Sequence, residues 1–154
     1  MRTITMVWSG LVLALFLVVG CAPSQINGPW GGESIDLMAD DAEVTVTPAG
    51  NDAIKVSIKV EGSSETCNGS FEMTNSRSGI PLFSGPLKSY KGSWDKITTK
   101  ACEDAIGGKG GIVQYIDIRD PSLFGSSMMQ VCNPESNETI CLAANTFKIE
   151  EKGM

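Results

Sequence analysis

Two neighbouring stretches of the chain alternate strictly between apolar and polar residues. Residues 44–47 and 54–61 place a valine or isoleucine at every second position, and the intervening residues 48–52 are Pro, Ala, Gly, Asn and Asp. A period of two puts alternate side chains on opposite faces of a strand, and the intervening composition favours a turn. The pattern therefore predicts a β-hairpin with one buried and one solvated face.

Similar short apolar patterns recur through the rest of the chain. Further strands are predicted around residues 71–73, 80–82, 87–90 and 112–118, and a last hairpin is predicted to pair residues 128–132 with 140–149 across a polar connection. Short strands separated by turn residues are typical of an antiparallel β-barrel or sandwich. We therefore expect a mainly β domain and leave both architectures open.

One segment departs from the period of two. Between residues 94 and 106 the apolar residues Trp94, Ile97, Ala101 and Ala105 recur at helical spacing. Ser93 and Gly107 are candidates for the caps at its two ends. We expect a strand end here that runs into one short helix.

The first twenty residues have the order of an export signal. Arg2 is followed by an apolar stretch over residues 6–19, and Gly20 precedes Cys21. The stretch is shorter than the roughly 20 apolar residues that a spanning helix needs, and polar residues follow it at once. An uncleaved membrane anchor is therefore not expected.

The tetrad Val18-Val19-Gly20-Cys21 resembles the bacterial lipobox. The resemblance implies cleavage before Cys21 and acylation of its sulfur and its new amino group. It also divides the chain into a removed signal peptide over residues 1–20, a lipidated tether over 21–29 and a single domain over 30–154. Ala22, in place of aspartate, favours the outer membrane facing the periplasm. The alternative is an ordinary secretory signal that ends near a cysteine.

The net charge argues against two classes of partner. The whole chain carries 12 basic and 18 acidic residues, a net charge of −6, and removal of Arg2 with the signal changes this to 11 − 18 = −7. A chain this acidic does not attract phosphate groups. Nucleic acid and anionic lipid head groups are therefore not expected as partners.

Four cysteines are left once Cys21 is assigned to the lipid. In an exported chain an even number of cysteines predicts disulfides, and four allow three pairings. Cys132 and Cys141 flank the polar connection of the last hairpin and would face each other, which leaves Cys67 and Cys102 as the second pair. A zinc site is the alternative, but the chain has no histidine and no Cys-x-x-Cys.

Three short motifs follow one another along the chain: Ile26-Asn27-Gly28-Pro29-Trp30, Cys67-Asn68-Gly69-Ser70-Phe71 and Ile97-Thr98-Thr99-Lys100-Ala101-Cys102. Their order resembles the landmarks of the META or HslJ-like domain. The resemblance implies a small β-rich domain of envelope lipoproteins and secreted proteins associated with stress tolerance. It brings no catalytic residues with it.

The sequence offers little for catalysis. The absence of histidine excludes Ser-His-Asp and Cys-His arrangements and imidazole metal ligands. The adjacent acids Asp40-Asp41, Glu103-Asp104 and Glu150-Glu151 are read as solvated charge, because a hydrolase needs two carboxyls facing each other across a cleft. Asp36, Asp40, Asp41 and Glu43 lack the spacing of a calcium loop and are read as an acidic turn. We expect no cofactor and no metal.

Three functions are compatible with these observations. The first is a non-catalytic envelope module that binds a protein partner or has a structural role. The second is a lipocalin-like binder of a small molecule, with Trp30 and Trp94 as possible pocket residues, although core filling is the commoner role of such aromatics. The third is a carboxylate-based hydrolase, which would gain support from two acids with raised pKa values in one cleft.

Overall fold

The computed structural model describes residues 29–35, 41–77, 86–119 and 127–152. The predicted signal peptide, Cys21 and the predicted strand around residues 80–82 lie outside these ranges. The described elements are β1 (Trp30–Ser34), β2 (Ala42–Pro48), β3 (Ala53–Val60), β4 (Thr66–Arg77), β5 (Leu87–Trp94), α1 (Lys100–Ile106), β6 (Val113–Arg119), β7 (Ser127–Cys132) and β8 (Ala143–Glu151).

The eight strands form one closed antiparallel barrel. Each strand pairs with the next along the chain, and β1 pairs with β8 to complete the ring. The fold class predicted from the alternation is confirmed, and of the two architectures left open the barrel is the one that forms. Among the described residues no helix is both long and apolar enough to cross a bilayer.

The interior of the barrel holds one continuous cluster of buried apolar side chains. Phe71, Trp94 and Phe147 are among its largest fully buried members. Phe71 and Trp94 meet edge to face, with ring centroids 5.2 Å apart. The interior of an eight-stranded barrel is narrow enough for side chains to fill it, and the large aromatic residues occupy much of that volume here.

The alternation did not predict β1. Its sequence, WGGES, has no apolar period, yet it pairs on both sides and closes the barrel. A Cβ on Gly32 would lie 1.7 Å from the Lys148 carbonyl oxygen of β8. Glycine is needed at this position because the two backbones approach closely.

The short helix is confirmed, and its predicted start is wrong. β5 ends at Trp94, and the helix runs from Lys100 to Ile106 with Thr99 as its N-cap instead of Ser93. Gly107 is the C-cap as expected, with φ of 69° in the left-handed region that favours glycine. Ser93 is a strand residue paired with Ser70, so it is not available as a cap.

Both predicted disulfides are present. Cys67–Cys102 joins the start of β4 to α1, and Cys132–Cys141 bridges the last hairpin. The second strand of that hairpin begins at Ala143 and not at residue 140 as predicted. The residues between the strands form a separate structured loop, which is described next.

Candidate functional site

The connection between β7 and β8 is a compact loop closed by a disulfide. We call residues 133–142 the disulfide loop, since the Cys132–Cys141 bridge closes it. The Asn133 N–H donates to the Leu142 carbonyl at 2.7 Å, and the Leu142 N–H donates to the Ser136 hydroxyl at 2.9 Å. The Asn137 N–H donates to the Ile140 carbonyl at 3.0 Å. These bonds and the bridge cross-link the loop internally.

The disulfide loop presents two large apolar side chains to solvent. Ile140 is 57% exposed and Leu142 is 48% exposed, and they are two of the four exposed large hydrophobic residues in the described part of the chain. Loops usually carry polar residues at such positions, and exposed apolar groups held on a rigid loop are typical of binding surfaces.

Two long polar side chains attach the disulfide loop to the barrel. Gln114 is fully buried, and its Nε2 donates to the Ile106 carbonyl at 2.6 Å and to the Cys132 carbonyl at 2.8 Å. It thereby connects the end of α1 to the base of the loop. Arg77 Nη2, from β4, donates to the Glu138 carbonyl at 3.1 Å. The loop therefore lies along the outside of the barrel wall, over β4 to β6.

The Asp117 carboxyl lies against the bridge of the disulfide loop. Its oxygen and the sulfurs of Cys132 and Cys141 lie within 4.8 Å of one another. Asp117 is only 7% exposed, although its neighbours in β6 show that it faces outward from the barrel. Residues outside the barrel therefore cover this carboxyl.

Burial raises the pKa of the Asp117 carboxyl above its usual value. Three groups act in the opposite direction and lower this pKa: the Ser89 hydroxyl, and then the positive charges of Arg77 and Arg119. The Ser89 hydroxyl lies near the carboxyl but outside normal hydrogen-bond geometry. The three groups Asp117, Cys132 and Cys141 have the proximity of metal ligands. While the two sulfurs are bonded to each other, however, they provide no thiolate for a metal.

A second feature of the surface is an acidic cleft. It has a volume of about 440 Å³ and includes four carboxylates and one lysine, from Glu33, Asp41, Glu43, Glu61 and Lys59. Asp41 and Glu43 belong to the predicted acidic turn, whereas Asp36 and Asp40 lie outside the described residues. The cleft carries negative charge at the surface.

The other predicted acidic pairs lie in ordinary surface positions. Asp104 forms an ion pair with Lys100 along α1, and Glu150 forms one with Lys148 at 3.1 Å along β8. Within the described residues, the acid whose pKa is raised is Asp117, and it lies beside sulfur and not beside a second carboxyl.

The structure places the two predicted pocket tryptophans apart from the disulfide loop. Trp94 is buried in the barrel core against Phe71. Trp30 is half-buried on β1 and packs against the core, and its indole N–H has no hydrogen-bond partner within the part of the chain that the structure describes. Neither residue lines the acidic cleft.

Sequence reasoning located the bridge of the disulfide loop and missed the groups beneath it. Asp117 stands in an apolar strand between Ile116 and Ile118, and a charged residue in such a strand is ordinarily solvated. The predicted disulfide loop was the one signal for a buried Asp117, because a loop closed by a disulfide can cover an outward-facing side chain on a neighbouring strand. Gln114 gave no signal, because a polar residue at the start of a strand is common.

No protein-family model, no curated protein and no solved structure matches the chain.

Proposed function

We propose that this protein is a lipid-anchored bacterial envelope protein that binds another envelope protein through its disulfide loop. The observation that carries the proposal is the exposure of Ile140 and Leu142 on a loop held by a disulfide and internal hydrogen bonds. The partner would offer an apolar recess for these two side chains.

The rigidity of the disulfide loop supports a binding role. Association loses affinity when flexible segments must be ordered, so a loop fixed before contact binds with a smaller entropic cost. A bridge between residues nine apart in sequence and the attachment of Glu138 to Arg77 both hold the loop in place. At protein interfaces a few side chains that become fully desolvated near the centre contribute most of the binding free energy.

The net charge of the chain indicates the charge of the partner. The chain as a whole has 12 basic and 18 acidic residues, a net charge of −6. Complementary charge steers association and disfavours partners of like charge. We therefore expect a partner whose surface around the apolar recess is basic.

The lipid anchor rests on the lipobox, Val18-Val19-Gly20-Cys21. Two or more acyl chains hold a protein stably on a membrane, whereas one chain binds only marginally. The nine residues from 21 to 29 reach roughly 30 Å when extended, which is enough to hold the barrel clear of the bilayer. The proposed partner would be found in the same envelope compartment.

The binding of a small molecule inside the barrel has less support. Phe71, Trp94 and Phe147 fill the interior together with the isoleucines and valines of the strands. The feature that distinguishes this chain lies on the outside of the barrel. We therefore prefer the disulfide loop to the barrel interior as the candidate binding site.

One preparation tests both parts of the proposal. The full-length protein is produced in its bacterial host with a photo-crosslinking amino acid at Leu142, or at Lys55 on the opposite wall, and the cells are fed a labelled palmitate analogue. We expect label on the wild-type protein and none after Cys21→Ser, and a discrete protein adduct from position 142 but not from position 55. Label that survives Cys21→Ser would refute the anchor, and equal adducts from both positions would refute the binding site.

A further inference from the structure

The two disulfides differ in access to solvent. Cys67 of β4 and Cys102 of α1 are both fully buried, whereas in the second bridge only Cys132 is fully buried and Cys141 is partly exposed. Thiol–disulfide exchange requires a thiolate to reach one of the two sulfurs. An external thiol can therefore approach Cys141 while the other three sulfurs are shielded.

The buried sulfur of the second bridge has an acid beside it. A carboxyl oxygen of Asp117 lies within 4.8 Å of both sulfurs of the Cys132–Cys141 bridge. Only Asp117 among the described His, Cys, Asp and Glu residues forms such a group with a disulfide. Desolvation raises the pKa of this carboxyl, and in its protonated form the carboxyl can give its proton to a leaving thiolate.

We infer that the Cys132–Cys141 bridge is a thiol–disulfide exchange site, in which Asp117 delivers a proton to the buried Cys132 sulfur. The co-reactant is a dithiol, either a small molecule or the active site of a thiol–disulfide oxidoreductase. This inference does not depend on which partner the disulfide loop binds.

The exchange proceeds in two balanced steps. A thiolate of the dithiol attacks the Cys141 sulfur, the Cys141–Cys132 bond breaks, and Cys132 leaves as a thiolate that takes the proton of Asp117. The second thiolate of the dithiol then attacks its own mixed disulfide, and Cys141 leaves as a thiolate that is protonated by water. The dithiol is oxidised to a disulfide, and the two cysteines are reduced to thiols.

The charges around Asp117 set the sign of the pH dependence. Arg77 reaches the site from β4 and Arg119 from β6, and both favour the ionised carboxylate, whereas burial favours the neutral acid and prevails. The neutral acid donates to the leaving Cys132 thiolate, and the ionised form repels it. Exchange is therefore faster below the raised pKa of Asp117 and slower above it.

The test measures the rate at which dithiothreitol reduces each bridge of the full-length protein between pH 4.5 and 9. Aliquots are alkylated, and peptide masses report each cysteine separately. The rate constant is corrected for the thiolate fraction of dithiothreitol. For Cys132–Cys141 we expect the corrected constant to fall about tenfold as pH rises, the equivalent of one charge-assisted hydrogen bond to the leaving group.

Two variants separate Asp117 from a general charge effect. Asp117→Asn cannot ionise, so its corrected rate constant is expected to be independent of pH. Glu138→Gln removes an exposed carboxylate from the disulfide loop itself and is expected to keep the wild-type profile. A wild-type rate constant that does not fall with pH would overturn the inference, and this outcome can be read even if Asp117→Asn does not fold. Reduction of Cys67–Cys102 before Cys132–Cys141 would overturn it as well.

Single-cysteine variants test which sulfur is attacked. In Cys132→Ser the remaining Cys141 is expected to form a mixed disulfide with glutathione disulfide in the native protein. In Cys141→Ser the buried Cys132 is expected to react at least about tenfold more slowly, since access limits thiol exchange. Equal rates in the two variants would contradict the proposed direction of attack.

Discussion

Glu65 shows how one half-buried side chain positions the helix beside the first disulfide. Its carboxylate accepts hydrogen bonds from the backbone N–H and the hydroxyl of both Thr98 and Thr99, at 2.6 to 3.3 Å. Thr99 is also the N-cap of α1. The hydroxyl of Thr99 and then that of Thr98 are the main causes that lower the pKa of Glu65 from 4.5 to about 2.

This depressed pKa makes the contribution of Glu65 to stability dependent on pH. The pKa is lower in the folded state, so the contribution is fully present above pH 4.5 and is lost as pH falls towards 2. Replacement of Glu65 by Gln is expected to lower the melting temperature at pH 7 and to have little effect near pH 2.

Thermal unfolding followed by circular dichroism at several pH values measures this effect. Glu61→Gln, an exposed acid four residues earlier, serves as the control and is expected to leave the difference between pH 7 and pH 2 unchanged. A constant effect of Glu65→Gln across this range would contradict the role assigned to the carboxylate.

Gln114 connects two elements, α1 and β7, from inside the barrel wall. Its amide nitrogen donates to the last helix residue, Ile106, and to Cys132 at the base of the disulfide loop. Gln114→Leu keeps the volume and leaves both buried carbonyls without this donor. Because an unsatisfied buried group costs about 1–3 kcal/mol, we expect a loss of stability of that order.

The loss is measured by urea denaturation of the Gln114→Leu variant against wild type. Gln130→Leu, on the half-exposed face of β7, is the matched control and is expected to change the free energy of unfolding by less than about 0.5 kcal/mol. An equal loss in both variants would show that Gln114 has no special connecting role.

The sequence predicted the elements that have a clear apolar period. It did not predict the elements whose position depends on contacts between residues distant in the chain. β2 and β3 follow the alternation directly, because one face of each strand is buried in the core. β1 was missed because it packs through the close approach of Gly32 to β8. The start of α1 was misplaced because Thr99 is selected as its cap by tertiary contacts with Glu65.

The candidate site was predictable only in its covalent part. The spacing of Cys132 and Cys141 around a polar connection predicted their bridge, since antiparallel strands bring flanking residues together. The disulfide loop is held over the barrel wall by a hydrogen bond from Arg77, a residue 61 positions from its partner Glu138. No local pattern contains that information.

At the scale of the whole molecule, a barrel whose interior is filled by side chains carries the disulfide loop on its outer surface. The closed ring of eight strands provides a rigid wall, and the disulfide loop lies on its outside with Ile140 and Leu142 exposed. The acidic cleft is a separate surface feature, formed by residues in or next to β1, β2 and β3 of a negatively charged chain. This arrangement fits a protein that acts through contact with a partner.

The most direct test is the effect of one loop substitution on the adduct formed from position 142 in intact cells. Ile140→Asp places a charge where the partner would have its apolar recess, and it is expected to reduce the adduct at least about tenfold, the equivalent of one lost interface anchor. Ile35→Asp changes a similarly exposed isoleucine outside the loop and is expected to leave the adduct intact. An adduct that persists in Ile140→Asp, or that is lost equally in Ile35→Asp, would contradict the account.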